Sequence, residues 1–368
     1  MTLLSPFPMR SITLRNRIVV SPMCQYSAID GTPTDWHYDH LTKFALGGAA
    51  LVFLEATGVE PRGRITHGDL GLWNAAQEAA LRPLVARLRS RGAVPGIQLA
   101  HAGRKASSQR PWEGSKSINP DNALAGEAPW QTIAASAVPL APGWHTPKAM
   151  DDDDIRTVIQ AFATAAERAH RAGFDVIELH AAHGYLIHTF LSPLSNRRTD
   201  GYGGSLPNRM RFALEVTEAV RRVWPADKPL FVRLSAVDWE ADGWSLDDSV
   251  ALAREMKARG VDVIDCSAGG ILGPATTAKI PMAPGYQVPF AARIRAEAGI
   301  ATQAVGLIRT ARQAADIIDK GEADLVALAR ELLFNPFWPL QAARELGDQD
   351  YATWPEQYGW YLKRRVGG

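Results

Sequence analysis

Residues 173–193, GFDVIELHAAHGYLIHTFLSP, decide the fold. Gly173 stops an amphipathic run, Asp151–Ala172, whose opening acids suit a helix N-terminus. Phe174–His180 then carries Phe, Val, Ile and Leu without strict polar alternation, the pattern of a strand covered on both faces. Working outward, seven more runs read alike: Arg17–Ser21, Leu51–Ala56, Val94–His101, Leu230–Ser235, Val261–Ser267, Thr302–Gly306 and Leu325–Ala329. Between them lie helical patterns over Ala75–Arg91, Pro207–Trp224, Leu246–Arg259 and Thr310–Lys320. Strand–helix alternation of this kind predicts an α/β fold, a (β/α)8 TIM barrel, as a single domain over residues 1–368. Residues 103–150 break the alternation. They are rich in Gly, Pro, Ser and Trp, follow the third strand, and are read as a capping loop region on the catalytic side.

Composition narrows the function. Lys plus Arg number 40 and Asp plus Glu 39, a net charge of +1. That balance argues against a nucleic-acid or anionic-membrane surface. No run approaches the roughly 18 apolar residues of a membrane span, and the N-terminus lacks a basic stretch followed by a long apolar one. Two cysteines, Cys24 and Cys266, cannot build a disulfide framework and suit a reducing compartment. The expectation is a cytoplasmic enzyme or small-molecule binder.

In a barrel the chemistry sits at the strand carboxyl ends. The fourth strand ends in His180 and His183, three apart, with Tyr185 two further on. Paired imidazoles can grip an oxygen that gains negative charge, and a phenol can deliver a proton. One histidine alone would read as a satisfied core group; the trio reads as a site. A metal is the alternative, with His101 or Asp238 as a loose third ligand. Parity turns Glu178 and His180 toward the axis, and on the fifth strand Phe231, Arg233 and Ser235. A buried Arg233 needs a partner, either Glu178 or an anionic cofactor. Gln98 is an amide inside an apolar strand, and Cys24 lies just past the first strand, where it could face a cofactor or simply pack. Gly306 and Arg330, after the seventh and eighth strands, suit a phosphate.

Five motifs, in order, carry a resemblance: LRNRIVVSPMCQY from Leu14, GIQLAHAGRKAS from Gly96, the opening stretch from Gly173, NRRTDGYGGSLPNRMRF from Asn196 and ARELLFNP from Ala329. Together they resemble the Old Yellow Enzyme family of FMN-dependent ene-reductases, nearest the bacterial class that includes xenobiotic reductase A. The resemblance implies bound FMN, NAD(P)H as reductant, and reduction of an activated alkene. It implies Tyr185 as proton donor and His180 and His183 as the carbonyl clamp. Pro22, Met23, Cys24, Ala56, Gln98, Arg233, Gly306 and Arg330 would bind the flavin, with Ala329 where many members have Gly. Tyr26 and Lys105 would meet the substrate or the flavin edge. Trp360 or Tyr361 would reach a neighbouring subunit's site in a homo-oligomer, a dimer or tetramer. The rival readings are a metal-dependent lyase or hydrolase on the same barrel and a non-catalytic flavin binder.

Overall fold

The computed structural model describes residues 2–124, 126–273, 283–348 and 350–365. An antiparallel hairpin comes first: β1 (Phe7–Met9) pairs with β2 (Ile12–Leu14). The chain then alternates through β3 (Ile18–Val20), α1 (Asp35–Leu46), β4 (Leu51–Gly58), α2 (Ala75–Ser90) and β5 (Val94–Ala100). Two short strands, β6 (Ile133–Ala134) and β7 (Lys148–Ala149), pair with each other before α3 (Asp152–Ala172). There follow β8 (Val176–Ala181), α4 (Leu186–Leu191), α5 (Leu206–Val223), β9 (Leu230–Ser235), α6 (Leu246–Ala258) and β10 (Val263–Ser267). The chain closes with α7 (Val288–Ala298), β11 (Ala301–Val305), α8 (Ala311–Asp319), β12 (Leu325–Leu328), α9 (Arg330–Phe334), α10 (Trp338–Glu345) and α11 (Glu356–Leu362). Strands β3, β4, β5, β8, β9, β10, β11 and β12 pair in parallel, each with the next, and β12 returns to β3 through Val326 and Ile18, closing the barrel. The (β/α)8 expectation holds.

Strand parity divides the apolar residues between two cores. On β8, Val176 faces the barrel interior while Ile177 and Leu179 pack against the helices. On β9, Phe231 is interior while Val232 and Leu234 face outward. Phe53 and Phe231 meet edge to face inside, 5.8 Å between centroids. Met9 and Leu14 of the hairpin join the same interior cluster and plug the amino-terminal end of the barrel.

Sequence chemistry also sets the element ends. Asp151 caps α3, accepting from the Asp154 amide at 2.9 Å, and three more acids occupy the first turn. A register shift in β4 between Leu54 and Ala56 swings Glu55 away from regular pairing. Residues 103–150 contain two 3-10 turns and the β6–β7 pair. They are tied to the loop after β4, where Trp130 Nε1 donates to Arg62 O at 3.0 Å and His67 Nε2 lies 2.9 Å from Ala128 O. Among the described residues no helix is long and apolar enough to cross a membrane.

Candidate active site

The end of β8 is built around a left-handed turn. His183 has φ +58°, and Gly184 follows at φ +73°, where a Cβ would collide with Gly270 O. The turn is braced on three sides. The His183 amide donates to Ser235 Oγ at 2.9 Å, and the Gly184 amide to His188 Nδ1 at 2.9 Å. His188 Nε2 in turn lies 2.9 Å from Asp238 Oδ1, and Asp238 Oδ2 accepts from Ser192 Oγ and the Trp244 amide. Both rings are thereby aimed. His180 Nδ1 accepts from the Ala182 amide, so its proton sits on Nε2, 3.3 Å from His183 Nδ1. The remaining His183 proton on Nε2 points at Ser267 Oγ, 2.7 Å away.

Tyr185 completes the group, its ring centroid 4.7 Å from that of His180. Burial, and then the Arg233 charge, holds both imidazoles well below their ordinary range, so they stay neutral. Burial pushes the Tyr185 phenol well above its ordinary value, so it keeps its proton. Lys105 is buried beside it, with Nζ donating to Gly270 O at 2.6 Å and lying 5.8 Å from the Tyr185 centroid. Burial, with Arg104 adjacent, lowers the Lys105 ammonium to about 7.

The loop after β3 forms the opposite wall. The Gln25 amide donates to Glu55 Oε2, and Glu55 Oε1 lies 2.9 Å from His37 Nε2. Tyr26 adopts φ +51° in this pinned loop. Burial raises both the Cys24 thiol and the Tyr26 phenol, so each is neutral. Tyr185 and Ala56 share one small cavity with Asp69 and Ala100, and Cys24 stands near enough to Tyr185 to act on its acidity.

Below this layer the barrel interior turns polar. Gln98 Nε2 donates to Glu178 Oε1 at 2.7 Å. Arg233 points inward as parity predicts, but its ion-pair partner is Asp265, not Glu178: Nε lies 3.5 Å from Asp265 Oδ2, and Nη1 donates to Ser21 Oγ at 2.9 Å. The reason is register, since Asp265 on β10 stands directly beside Arg233. Neither suggested third metal ligand is available in the expected way. His101 Nε2 is 2.8 Å from Glu60 Oε1, and Asp238 is engaged by His188. Among the described residues no three His, Cys, Asp or Glu side chains group to hold a metal ion.

At the far side of the mouth, Gly306 has φ +114°, and a Cβ there would lie 2.6 Å from Gln287 Nε2. Ala329 caps α9, and Arg330 is exposed; among the described residues it makes no hydrogen bond or ion pair. Trp360 and Tyr361 lie exposed on α11, their rings 3.8 Å apart, and are not part of this cluster within one chain.

The model of the NADH:flavin oxidoreductase / NADH oxidase family matches residues 2–349. The chain is 49% identical to an NADPH dehydrogenase of Geobacillus thermodenitrificans over 97% of its own length and 98% of the relative's. An NADPH dehydrogenase of Listeria monocytogenes is 46% identical, with 97% and 98% covered. Morphinone reductase superposes with a TM-score of 0.76 at 28% identity, covering 93% of this chain and 89% of that one. The chain belongs to the Old Yellow Enzyme family.

As an Old Yellow Enzyme, the protein is an oxidoreductase that uses FMN and NAD(P)H. The residues present fit that cofactor. Arg233 Nε has no hydrogen-bond partner although buried, and Arg330, just past β12, the strand paired with the one that ends before Gly306, is exposed and without an ion pair among the described residues. Sequence reading gave no role to Ser267, Gln287, Asp265, His188 or Asp238's brace. An acid within the apolar run VDVIDCS was the signal for Asp265.

Proposed function

We propose that the enzyme reduces the C=C bond of α,β-unsaturated carbonyl or nitro compounds in a ping-pong cycle. Two neutral imidazoles and a protonated phenol packed ring against ring at the carboxyl end of β8 carry this reading. Bound FMN would supply the hydride-transfer chemistry that links NAD(P)H to the alkene. When substrate enters, the His180 Nε2–H and the His183 Nε2–H turn from His183 Nδ1 and Ser267 Oγ to the substrate oxygen and polarise the double bond; neutral rings do so without adding a charge that must be desolvated. Tyr185 gives its proton to the α-carbon.

The same reading assigns the flavin to Pro22, Met23, Cys24, Ala56, Gln98, Arg233, Gly306, Ala329 and Arg330, with Tyr26 and Lys105 lining the substrate side. Residues 103–150 cap the mouth of a single domain. Trp360 or Tyr361, exposed on α11, reaches a neighbouring subunit of a cytoplasmic homo-oligomer. The test is anaerobic: enzyme reduced with NADPH is mixed with 2-cyclohexenone. Flavin reoxidation with formation of the saturated ketone is expected. Absence of both, in protein that carries flavin, would overturn the reading.

A further inference from the structure

Glu178 and Asp265 are fully buried in the barrel interior, on β8 and β10 either side of β9. Their surroundings do not support two negative charges. Glu178 Oε1 takes one hydrogen bond, from Gln98, and Glu178 Oε2 takes none. The Gln303 amide stands beside Asp265 on β11, but neither Asp265 oxygen makes a hydrogen bond of full geometry among the described residues. One guanidinium, Arg233, stands 3.5 Å from Asp265 and also gives Nη1 to Ser21. The two carboxyls sit on strands separated only by β9, near enough for each to act on the other's acidity, a proximity that is favourable only if one of them keeps a proton.

The other faces supply little charge. Gln98 on β5 and Gln303 on β11 are uncharged, the neighbouring β12 contributes Leu325 and Ala327, and His180 at the top of β8 is neutral. Burial raises both carboxyls above their ordinary range, and the Asp265 charge pushes Glu178 further. Two acids and one arginine in a closed interior leave one negative charge uncompensated unless a carboxyl keeps its proton.

We propose that Glu178 and Asp265 share one proton in the oxidised enzyme and take up a second when the flavin is reduced, acting as a proton store linked to the redox state. This rests on the reading that Arg233 faces the flavin. Two-electron reduction by hydride adds negative charge above Arg233, which weakens the hold of Arg233 on Asp265 and raises the proton affinity of the pair. The step balances. NAD(P)H gives up hydride and leaves oxidised, one solvent proton enters the carboxyl pair, that proton returns to solvent when hydride passes to the alkene and Tyr185 protonates carbon, and a further solvent proton restores the Tyr185 phenol. These side chains are positioning residues: they touch Arg233 and Gln98, not substrate.

The test is the midpoint potential of the holoenzyme against pH, by spectroelectrochemistry between about pH 7 and 9. One proton per two electrons gives about 30 mV per pH unit; a second proton doubles that to about 59 mV. Wild type is expected to show the steeper slope, and Asp265→Asn the shallower one. A single-proton slope in wild type, or a doubled slope that survives Asp265→Asn, overturns the proposal. Glu178→Gln serves if Asp265→Asn does not fold. If neither variant folds, the reduced-minus-oxidised infrared spectrum of wild type decides, since a gained protonated-carboxyl band is expected and its absence refutes. The readout needs no alkene, so a failure of alkene reduction leaves it legible. FMN affinity of Arg233→Ala tests the placement of Arg233 separately.

Discussion

The carboxyl ends of β8 and β12 belong to one barrel and are built in opposite ways. At β8 the polar groups are engaged before any ligand arrives: His183 and Gly184 amides, His188, Asp238, Ser235 and Ser267 interlock. At β12 Arg330 stands exposed and without a partner among the described residues. A site that must recognise an oxygen whose charge grows during reaction gains from donors fixed in advance. A site for a permanent anion can leave its cation loose and let the ligand complete it. The braced end should therefore fail through geometry, and the open end through affinity alone.

Replacing the acid breaks the braced end most sharply. Tyr185→Phe should slow the alkene half-reaction about 10²–10⁴-fold while flavin reduction by NADPH changes little; stopped-flow traces of each half-reaction show the split. Next comes the brace itself. His188→Leu leaves the Asp238 carboxylate buried without its imidazole and should cost about 3–5 kcal/mol of stability. Thermal unfolding and phenol titration should both worsen, and loss of only one would separate stability from turn geometry. At the open end, Arg330→Ala should weaken FMN retention on dialysis by about tenfold or more, the worth of a charge-assisted phosphate contact. Apoprotein stability should stay within about 0.5 kcal/mol.

The smallest effect concerns Lys105. Its ammonium, lowered to about 7, is charged below that pH and neutral above it. Affinity for a phenolate ligand should thus fall as pH rises through about 7, by up to tenfold, roughly 1.4 kcal/mol. Lys105→Met should flatten that dependence once the ionisation of the phenol itself is subtracted.

Much of this was legible in the sequence, for physical reasons. All eight barrel strands stood out because both their faces are covered, which leaves uninterrupted apolar runs. Strand parity placed Arg233 inside but not its partner, because which neighbouring strand supplies the acid depends on register across β9 and β10. The short helices α4, α9, α10 and α11 went unread, and so did two longer ones, α1 and α7. In α1, DWHYDHLTKFAL, buried His37 and His40 occupy places where apolar residues would have marked the face. In α7 the helix opens on Val-Pro after a loop rich in Pro and Gly, which reads as a turn. The third partner in each brace, Asp238 or Glu55, lies far along the chain from the turn it supports, and only the fold brings it there.

The hairpin at the start of the chain gives the cylinder a floor. Met9 and Leu14 pack into one buried cluster with Leu51, Val176 and Phe231, which covers the amino-terminal end of the barrel. Deleting the first fourteen residues would let water in from below and expose the apolar underside of the strands, while a purification tag fused ahead of Phe7 would hang at the pole farthest from the chemistry.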